Sequence, residues 1–170
     1  MSNAEFYEDI FNLLDNLEHG SDRIKSFVSG LKEFAQVSYL VEEKWVDLNS
    51  TIEKVVEMNR EQLLQNVKVF ERDVPSNLPK IWSDPYAIEQ ILINFLNNAV
   101  QASNKKNSRI ALRVEVNENW QDHLILEVSD NGEGMDEKTM EKIFEPFFTQ
   151  SSLKKGMGLG LYICNGLVNR

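Results

Sequence analysis

Two alternating runs, RIALRVEVNE and HLILEVSD, follow each other with only a short polar segment between them. Alternation of apolar and polar residues is typical of strands with one buried face, and two adjacent runs predict a β-hairpin. The preceding stretch AIEQILINFLNNAVQAS is apolar at helical spacing and follows Pro85, a residue favoured at an early helical position. A helix beside a hairpin buries its apolar face on the sheet, so the sequence predicts an α+β fold.

Shorter elements extend this pattern on both sides. Lys44 to Leu48 predicts a strand, and Asn49 or Ser50 is expected to cap a helix that runs to about Asn66. Two further strands, a short helix and a final helix are predicted at VKVFERDV, IW, EKTMEKIF and GLGLYICNGLV. We therefore expect a two-layer α/β sandwich, a mixed sheet with helices on one face. The long irregular stretch before the last helix is of the kind that is usually functional or mobile.

The first 41 residues predict a long coiled-coil-type helix. Their apolar residues recur at alternating spacings of three and four, which is a heptad seam. The seam consists of Phe6, Ile10, Leu13, Leu17, Gly20, Ile24, Phe27, Leu31 and Phe34. One helix cannot bury such a seam alone, so a homodimer through this helix is expected; packing on the chain's own domain is the alternative. The predicted parts are residues 1–41 and 44–170.

Composition limits the partners. The formal net charge of −9 argues against nucleic acid or an anionic membrane surface. No apolar run approaches the roughly 20 residues that a membrane helix needs, so no membrane contact is expected. The N-terminus has no signal-peptide pattern, and the single cysteine, Cys164, cannot form an internal disulfide. A cytoplasmic location is therefore expected.

Asn94 and Asn98 lie four residues apart in the long predicted helix and so share one face. Asparagine is a poor interior helix residue, because its amide competes for backbone hydrogen bonds. One interpretation is a polar stripe that faces water. The other is a pair of neutral oxygen groups for a metal ion and phosphates.

The segment DNGEGM follows a predicted strand directly. Gly132 and Gly134 allow either a tight turn or a backbone that passes close to a ligand. Asp130 ends a strand that looks central, where its carboxylate could accept a hydrogen bond from an exocyclic amine.

A second glycine segment, KKGMGLGL, precedes the last helix. Backbone N–H groups at a helix start form an anion site, although a flexible linker is an equally good interpretation of this segment alone. No GxxxxGK[ST] string occurs, and no strand leads directly into these glycines, so Walker and Rossmann nucleotide sites are excluded.

Taken in order, NFLNNA, DNGEGM, FEPFF and GMGLGL resemble the N box, first glycine box, F box and second glycine box of sensor histidine kinases. The resemblance spans about Trp45 to Arg170. It implies the Bergerat ATP-binding (GHKL) fold shared with gyrase and heat-shock chaperones, ATP and Mg²⁺ as cofactors, and protein histidine kinase activity in two-component phosphorelay signalling. Residues 1–41 are similar to the second helix of the dimerisation and phosphotransfer hairpin.

The resemblance also implies roles for individual residues. Asn98 would bind Mg²⁺, and Asn94 would act beside it at the metal and phosphates as the second catalytic residue. Residues 145–157 would form a lid anchored by Phe147 and Phe148. Asp130 would hold the adenine amino group, with the first two box glycines lining the pocket. The full nucleotide-binding set implied is Asn98, Gln101, Ala102, Asp130, Gly132, Gly134, Met135, Phe148, Lys154, Lys155, Gly156, Met157, Gly158, Leu159, Gly160 and Leu161.

The chain departs from the family pattern at three points. Gln101 stands where many members have a basic residue, and Ala102 stands where an aromatic residue often stacks on adenine. Both match a subgroup with NAxQA, in which phosphate charge would fall on Mg²⁺ and on Lys154 or Lys155. The family continues past the last helix with further strands, so a sheet lacking one edge is expected.

The identity of residue 94 bears on the reaction. In ATPase relatives a glutamate at this position activates water; an asparagine amide cannot act as a general base, so transfer to a side chain is favoured over hydrolysis. His19 and His123 are the only histidines, and neither has the family's acceptor context. The implied partners are an acceptor histidine hairpin and a response regulator receiver domain. The alternative is a regulatory nucleotide-binding module, such as an anti-sigma-type serine kinase or a degenerate kinase.

Overall fold

A computed structural model describes residues 42–103, 106–116, 123–149 and 158–169, and near the N-terminus residues 7, 9–14, 16–18, 20–21, 24–25 and 28. In chain order the elements are β1 (Lys44–Val46), α1 (Leu48–Met58), α2 (Arg60–Asn66), β2 (Val69–Asp73), β3 (Ile81–Ser83), α3 (Pro85–Ala102), β4 (Arg109–Val116), β5 (Leu124–Asp130), α4 (Glu137–Met140) and α5 (Gly160–Val168).

The described N-terminal positions all have helical backbone. Among the seam residues, Ile10, Leu13, Leu17 and Ile24 are described and exposed. The other large seam residues lie outside the described residues; they are Phe6, Phe27, Leu31 and Phe34. The continuous coiled-coil helix, the division at residues 41–44 and the dimer therefore stay predictions. Within the described parts of the chain, no helix combines the length and the apolar character required to cross a bilayer.

The mixed sheet has the order β2–β4–β5. Strand β2 runs parallel to β4, and β4 pairs antiparallel with β5 in a hairpin register that sets Ile110 opposite Asp130 and Leu112 opposite Val128. Strand β4 is thus the central strand. Within the described chain β5 pairs with β4 alone, so the prediction that β5 is a central strand is wrong for the described sheet. A separate antiparallel pair joins β1 to β3.

The core lies between the helices and the inner face of β4. Ile110, Leu112 and Val114 alternate along that strand and are buried, as the period of a half-buried strand requires. Leu92 and Leu96 of α3 are fully buried against them. Each such side chain contributes about 1.5–3 kcal/mol by leaving water. The predicted α+β fold, with helices on one face of a mixed sheet, is confirmed.

The predicted helix from residue 49 to 66 is wrong in two details. Its N-cap is Asp47, whose carboxylate accepts a hydrogen bond from the Ser50 backbone at 3.1 Å. It also divides at Asn59, a buried residue whose side-chain amide donates to the Val55 carbonyl at 2.9 Å. This local side-chain bond competes with the helical ladder, so α1 ends there and α2 begins at the next residue.

Helix α3 begins as predicted. Asp84 is its N-cap and accepts a hydrogen bond from the Tyr86 backbone at 2.9 Å, with Pro85 at the first helical position. Helix α4 is shorter than the predicted EKTMEKIF, since it ends at Met140 and the next four residues form turns. The helix after the second glycine box is confirmed as α5.

Candidate functional site

Helix α3 carries the two asparagines at different depths. Asn94 is half-buried and faces α5, whereas Asn98, one turn later, is exposed. The helix packs on α1, on β5 and on α5, so it contacts both the strand that leads into the first glycine box and the helix that follows the second. The predicted pair therefore does not form a uniform water-facing stripe.

Asp130 ends β5 on the inner face of the sheet. Successive strand residues alternate between faces, and Asp130 is in phase with Leu126 and Val128 and paired with the buried Ile110. The residue is nevertheless exposed, because the sheet ends there. Its Oδ1 accepts a hydrogen bond from the Gly132 backbone at 2.7 Å, and no described residue donates to its Oδ2. One carboxylate oxygen is thus available on the side of the sheet that α3 covers.

Gly132 lies against the end of α3. A Cβ at this position would come within 2.7 Å of the Ala102 Cβ, of the Ala102 carbonyl oxygen and of Asp130 Oδ1. No side chain larger than hydrogen fits there without movement of the backbone. Gly134 has a φ of +70°, a left-handed conformation that favours glycine, and has open space around it. The first glycine box is therefore held against α3 at its start and is open further along.

Asn131 fixes this box to the hairpin, a role that the sequence analysis missed. Its Oδ1 accepts from the Arg109 backbone at 2.8 Å, its Nδ2 donates to the Asn107 carbonyl at 2.9 Å, and its backbone N–H donates to the Arg109 carbonyl at 3.2 Å. The DNG sequence predicts a turn, in which an asparagine side chain commonly bonds backbone within the turn, but it does not predict these partners 22 and 24 positions away.

The second glycine box meets α3 at Asn94. The Asn94 Nδ2 donates to the Gly160 carbonyl at 3.2 Å and to the Cys164 Sγ at 3.5 Å. The N-cap residue of α5, Leu159, makes no side-chain cap hydrogen bond, and the first backbone N–H groups of a helix point outward along its axis. Burial raises the pKa of the Cys164 thiol, and its hydrogen bond with Asn94 offsets part of that rise.

The F box is joined to the second glycine box by the backbone. The Phe147 N–H donates to the Gly158 carbonyl at 3.0 Å, and the two residues have left-handed φ angles of +66° and +67°. A Cβ at Gly158 would lie 2.6 Å from the carbonyl carbons of Phe147 and Phe148, so glycine is required by conformation and by space. This contact joins the described start of the predicted lid, residues 145–157, to the residue that directly follows it.

The other predicted site residues fall into two groups. Lys154, Lys155, Gly156 and Met157 lie outside the described residues, as does most of the lid. Among the described ones, Gln101 and Met135 are exposed, Leu159 is buried, and three are half-buried: Ala102, Phe148 and Leu161. The structure thus brings both glycine boxes to α3, and the roles given to single residues stay predictions.

Residues 83–170 match the family described as histidine kinase-, DNA gyrase B- and HSP90-like ATPase, and this match covers more than half of the chain. The chain belongs to this ATPase family. The matched region begins just before α3 and contains the N box and both glycine boxes.

The relatives of this chain include named sensor proteins. A putative sensor protein of Shewanella frigidimarina is 31% identical over 90% of this chain and 23% of its own length. The C4-dicarboxylate transport sensor protein DctB of Pseudomonas aeruginosa is 35% identical over 90% of this chain and 25% of its own. The chain thus spans about a quarter of the length of these two curated relatives.

The fold agrees with a solved family structure. Full-length ShkA, crystallised in complex with AMPPNP, is 25% identical and superposes with a TM-score of 0.73 over 93% of this chain and 33% of its own. The catalytic domain of histidine kinase ThkA is 30% identical and superposes with a TM-score of 0.60 over 75% of this chain and 82% of its own. The prediction of a sensor histidine kinase catalytic domain fold is confirmed.

Proposed function

We propose that this chain is the ATP-binding part of a sensor histidine kinase, which binds Mg-ATP and provides its γ-phosphoryl group to a histidine on a separate hairpin. The observation that carries this proposal is the convergence on α3. The Gly132 backbone abuts Ala102 at its end, and Gly160 is bonded to Asn94 at its middle. Two glycine-rich segments at one helix suit a nucleotide. Glycines let the backbone approach a flat base closely, and backbone N–H groups at a helix start bind an anionic tail.

The adenine would bind at the first glycine box. Asp130 has an inner-face carboxylate oxygen without a donor from the described chain, which suits an exocyclic amine. Its other oxygen is held by the Gly132 N–H at 2.7 Å, which fixes the carboxylate orientation before a ligand arrives. Gly134, open on all sides, leaves room for the ring to lie against the backbone.

The phosphates would lie between Asn98 and the N-terminus of α5. The first N–H groups of that helix and its dipole favour an anion, and the N-cap residue Leu159 makes no side-chain cap hydrogen bond there. Lys154 and Lys155 are proposed to add positive charge, because Gln101 contributes none.

The residues present fit Mg²⁺ as a nucleotide-bound ion. Asn98 offers one exposed neutral oxygen, and no cluster of three His, Cys, Asp or Glu residues exists in the described chain. Mg²⁺ typically keeps several waters and is held by one or two protein oxygens together with phosphate oxygens, so a single asparagine suffices. When bound, the ion neutralises phosphate charge during transfer.

The reaction class and the partners belong to the same proposal. Residue 94 is an asparagine with its amide bonded to α5, so the described site has no carboxylate there to activate water, and transfer to a side chain is favoured over hydrolysis. The partners are an acceptor histidine hairpin, a response regulator receiver domain and a second copy of the chain through the N-terminal helix, and the setting is cytoplasmic.

Calorimetric titration with Mg-ADP and Mg-ATP tests binding, and transfer of label from γ-labelled ATP to a supplied histidine hairpin tests the reaction. We expect binding that is weakened when Mg²⁺ is chelated, and label on the hairpin but little released phosphate. Binding without transfer to any hairpin would favour the regulatory-module alternative. Absence of nucleotide binding in a folded chain would contradict the proposal.

A further inference from the structure

The Asn94 side chain connects α3 to the first turn of α5. Its Nδ2 donates to the Gly160 carbonyl at 3.2 Å and reaches the Cys164 Sγ at 3.5 Å. Gly160 and Cys164 are four residues apart, so they lie on one face of α5, one turn from each other. A single amide group therefore spans the whole first turn of the helix that begins at the second glycine box.

Space, and not backbone conformation, favours glycine at position 160 in this contact. A Cβ there would lie 3.2 Å from Asn94 Oδ1 and 3.4 Å from Asn94 Cγ, which is tighter than an ordinary contact. Only Gly134 and Gly158 among the described glycines have a positive φ, so conformation does not demand glycine at position 160. An alanine would move the amide away from the carbonyl that it binds. Gly160 and Asn94, which lie 66 positions apart in the chain, thus fit each other in size and in hydrogen bonding.

We propose that Asn94 is a positioning residue, which fixes the start of α5 relative to Asn98 and thereby sets the width of the phosphate end of the site. Asn98 lies one turn along the same face of α3, and the helix itself is held by the fully buried Leu92 and Leu96. The inference rests on the proposed function for its ligand, Mg-ATP, although the contacts themselves do not depend on it.

The pairing explains why an amide, and not a carboxylate, stands at position 94. Ionised carboxylates only accept hydrogen bonds, so an aspartate would place two acceptors against the Gly160 carbonyl oxygen, itself an acceptor. The amide contributes the donor that the carbonyl needs. The Asn94 NH2 group has two hydrogens, and both have acceptors on α5, the Gly160 carbonyl and the Cys164 Sγ, so Asn94 acts through α5 and does not donate to the phosphates.

The test compares Asn94→Asp and Gly160→Ala with Asn97→Asp, which introduces the same charge on α3 at a half-buried position outside the contact. Without nucleotide, backbone amides of residues 160–164 should exchange hydrogen about tenfold faster in the first two variants and at the wild-type rate in the third. Cys164→Ala removes the weaker acceptor alone and should give a smaller increase.

The second measurement is Mg-ATP affinity, made well below the melting temperature of each variant. Asn94→Asp should raise the Kd for Mg-ATP about tenfold, with an unchanged Mg²⁺ dependence. Any change in the rate of transfer to a supplied hairpin at saturating Mg-ATP should occur together with faster exchange at residues 160–164, because Asn94 acts through α5.

A fall in the saturated transfer rate with unchanged exchange at 160–164 would overturn the proposal and make Asn94 a catalytic residue. Equal exchange in Asn94→Asp and Asn97→Asp would also overturn it. If the wild-type chain fails to bind Mg-ATP, the proposed function fails, while the exchange measurement still decides whether Asn94 holds α5.

Discussion

At the residue scale, three glycines in the two boxes are required for different reasons. Gly132 lacks space beside Ala102, Gly158 lacks both space and a permitted conformation, and Gly134 has space but a left-handed φ of +70°. The sequence shows only that each position is a glycine, so these differences are visible in the structure alone. The consequences of adding one methyl group should therefore differ from one glycine to the next.

Gly158→Ala and Gly134→Ala separate conformation from packing, since both residues have nearly the same φ. The left-handed conformation alone costs a residue with a Cβ roughly 1–2 kcal/mol, and this is the loss of unfolding free energy that we expect for Gly134→Ala. Gly158→Ala should lose clearly more, because its Cβ meets the backbone of Phe147 and Phe148. Urea denaturation measures both values. Equal losses would mean that the F box moves away from Gly158 at little cost.

Asp130→Ala should weaken nucleotide binding. Without the Asp130 carboxylate, the adenine amine has no hydrogen-bond acceptor. This loss costs roughly 1–3 kcal/mol of binding free energy, or about 5- to 150-fold in Kd. Glu127→Ala is the matched control: it removes the same charge from the same strand, but on the outer face, where Glu127 lies 4.0 Å from Arg113. Calorimetric titration with Mg-ADP measures the Kd of both variants. If both variants bind equally well, Asp130 is not the adenine acceptor.

At the element scale, periodicity predicted the helices and strands well, because the apolar pattern decides which face is buried. The hairpin, α3 and α5 lie where their patterns placed them. The errors were local: Asp47 caps α1 in place of Asn49 or Ser50, and Asn59 divides the helix through one side-chain bond to Val55. Neighbouring polar residues compete for the same backbone groups, and the local geometry decides which of them forms the bond. The spacing of residues in the sequence does not specify that geometry.

The site was predicted as a set of segments and not as a set of contacts. The motif order placed α3 beside both glycine boxes, but the bond from Asn94 to Gly160 joins residues 66 positions apart. The spacing of residues within a motif does not predict a contact between two residues so far apart in the chain. The three bonds of Asn131 likewise join residues 22 to 24 positions apart, so the DNG sequence predicted a turn but not these partners.

Helix α4 offers a test of its cap by pH. Asp136 accepts a hydrogen bond from the Thr139 backbone at 2.8 Å, and the bonds from the Thr139 hydroxyl and N–H lower the pKa of its carboxyl. A lowered pKa in the folded state means that the cap stabilises α4 above the unfolded-state pKa and that this effect is lost as pH falls through the folded-state pKa. Acid should therefore unfold α4 locally before its core neighbours.

Thr139→Val removes the hydroxyl, the larger cause, and keeps the backbone N–H. The Asp136 titration midpoint, followed by the NMR shift of its carboxyl carbon, should rise toward the ordinary aspartate value. The midpoint should stay below that value, since one of the two bonds persists. An unchanged midpoint would mean that the backbone bond alone lowers the pKa.

At the scale of the whole molecule, the two regions differ in how they bury apolar surface. In the α+β part, Ile52, Leu92, Leu96, Ile110 and Leu112 are fully buried in one core. In the N-terminal part, Leu13, Leu17 and Ile24 are 63%, 62% and 66% exposed. A row of exposed large aliphatic side chains at heptad spacing is typical of a surface that another helix covers.

We therefore predict that the chain self-associates through this row. Burying each such side chain fully contributes about 1.5–3 kcal/mol, and a symmetric pair of helices would bury both rows at once. Leu17→Asp with Ile24→Asp should convert the oligomer to a monomer in sedimentation at micromolar concentration, because two charges would meet their own copies in the contact. Leu64→Asp is the control, since Leu64 is 74% exposed on α2 and lies outside the row. This control should sediment like the wild-type chain. A wild-type monomer whose sedimentation does not change in the double variant would contradict the prediction and favour packing of the helix on its own domain.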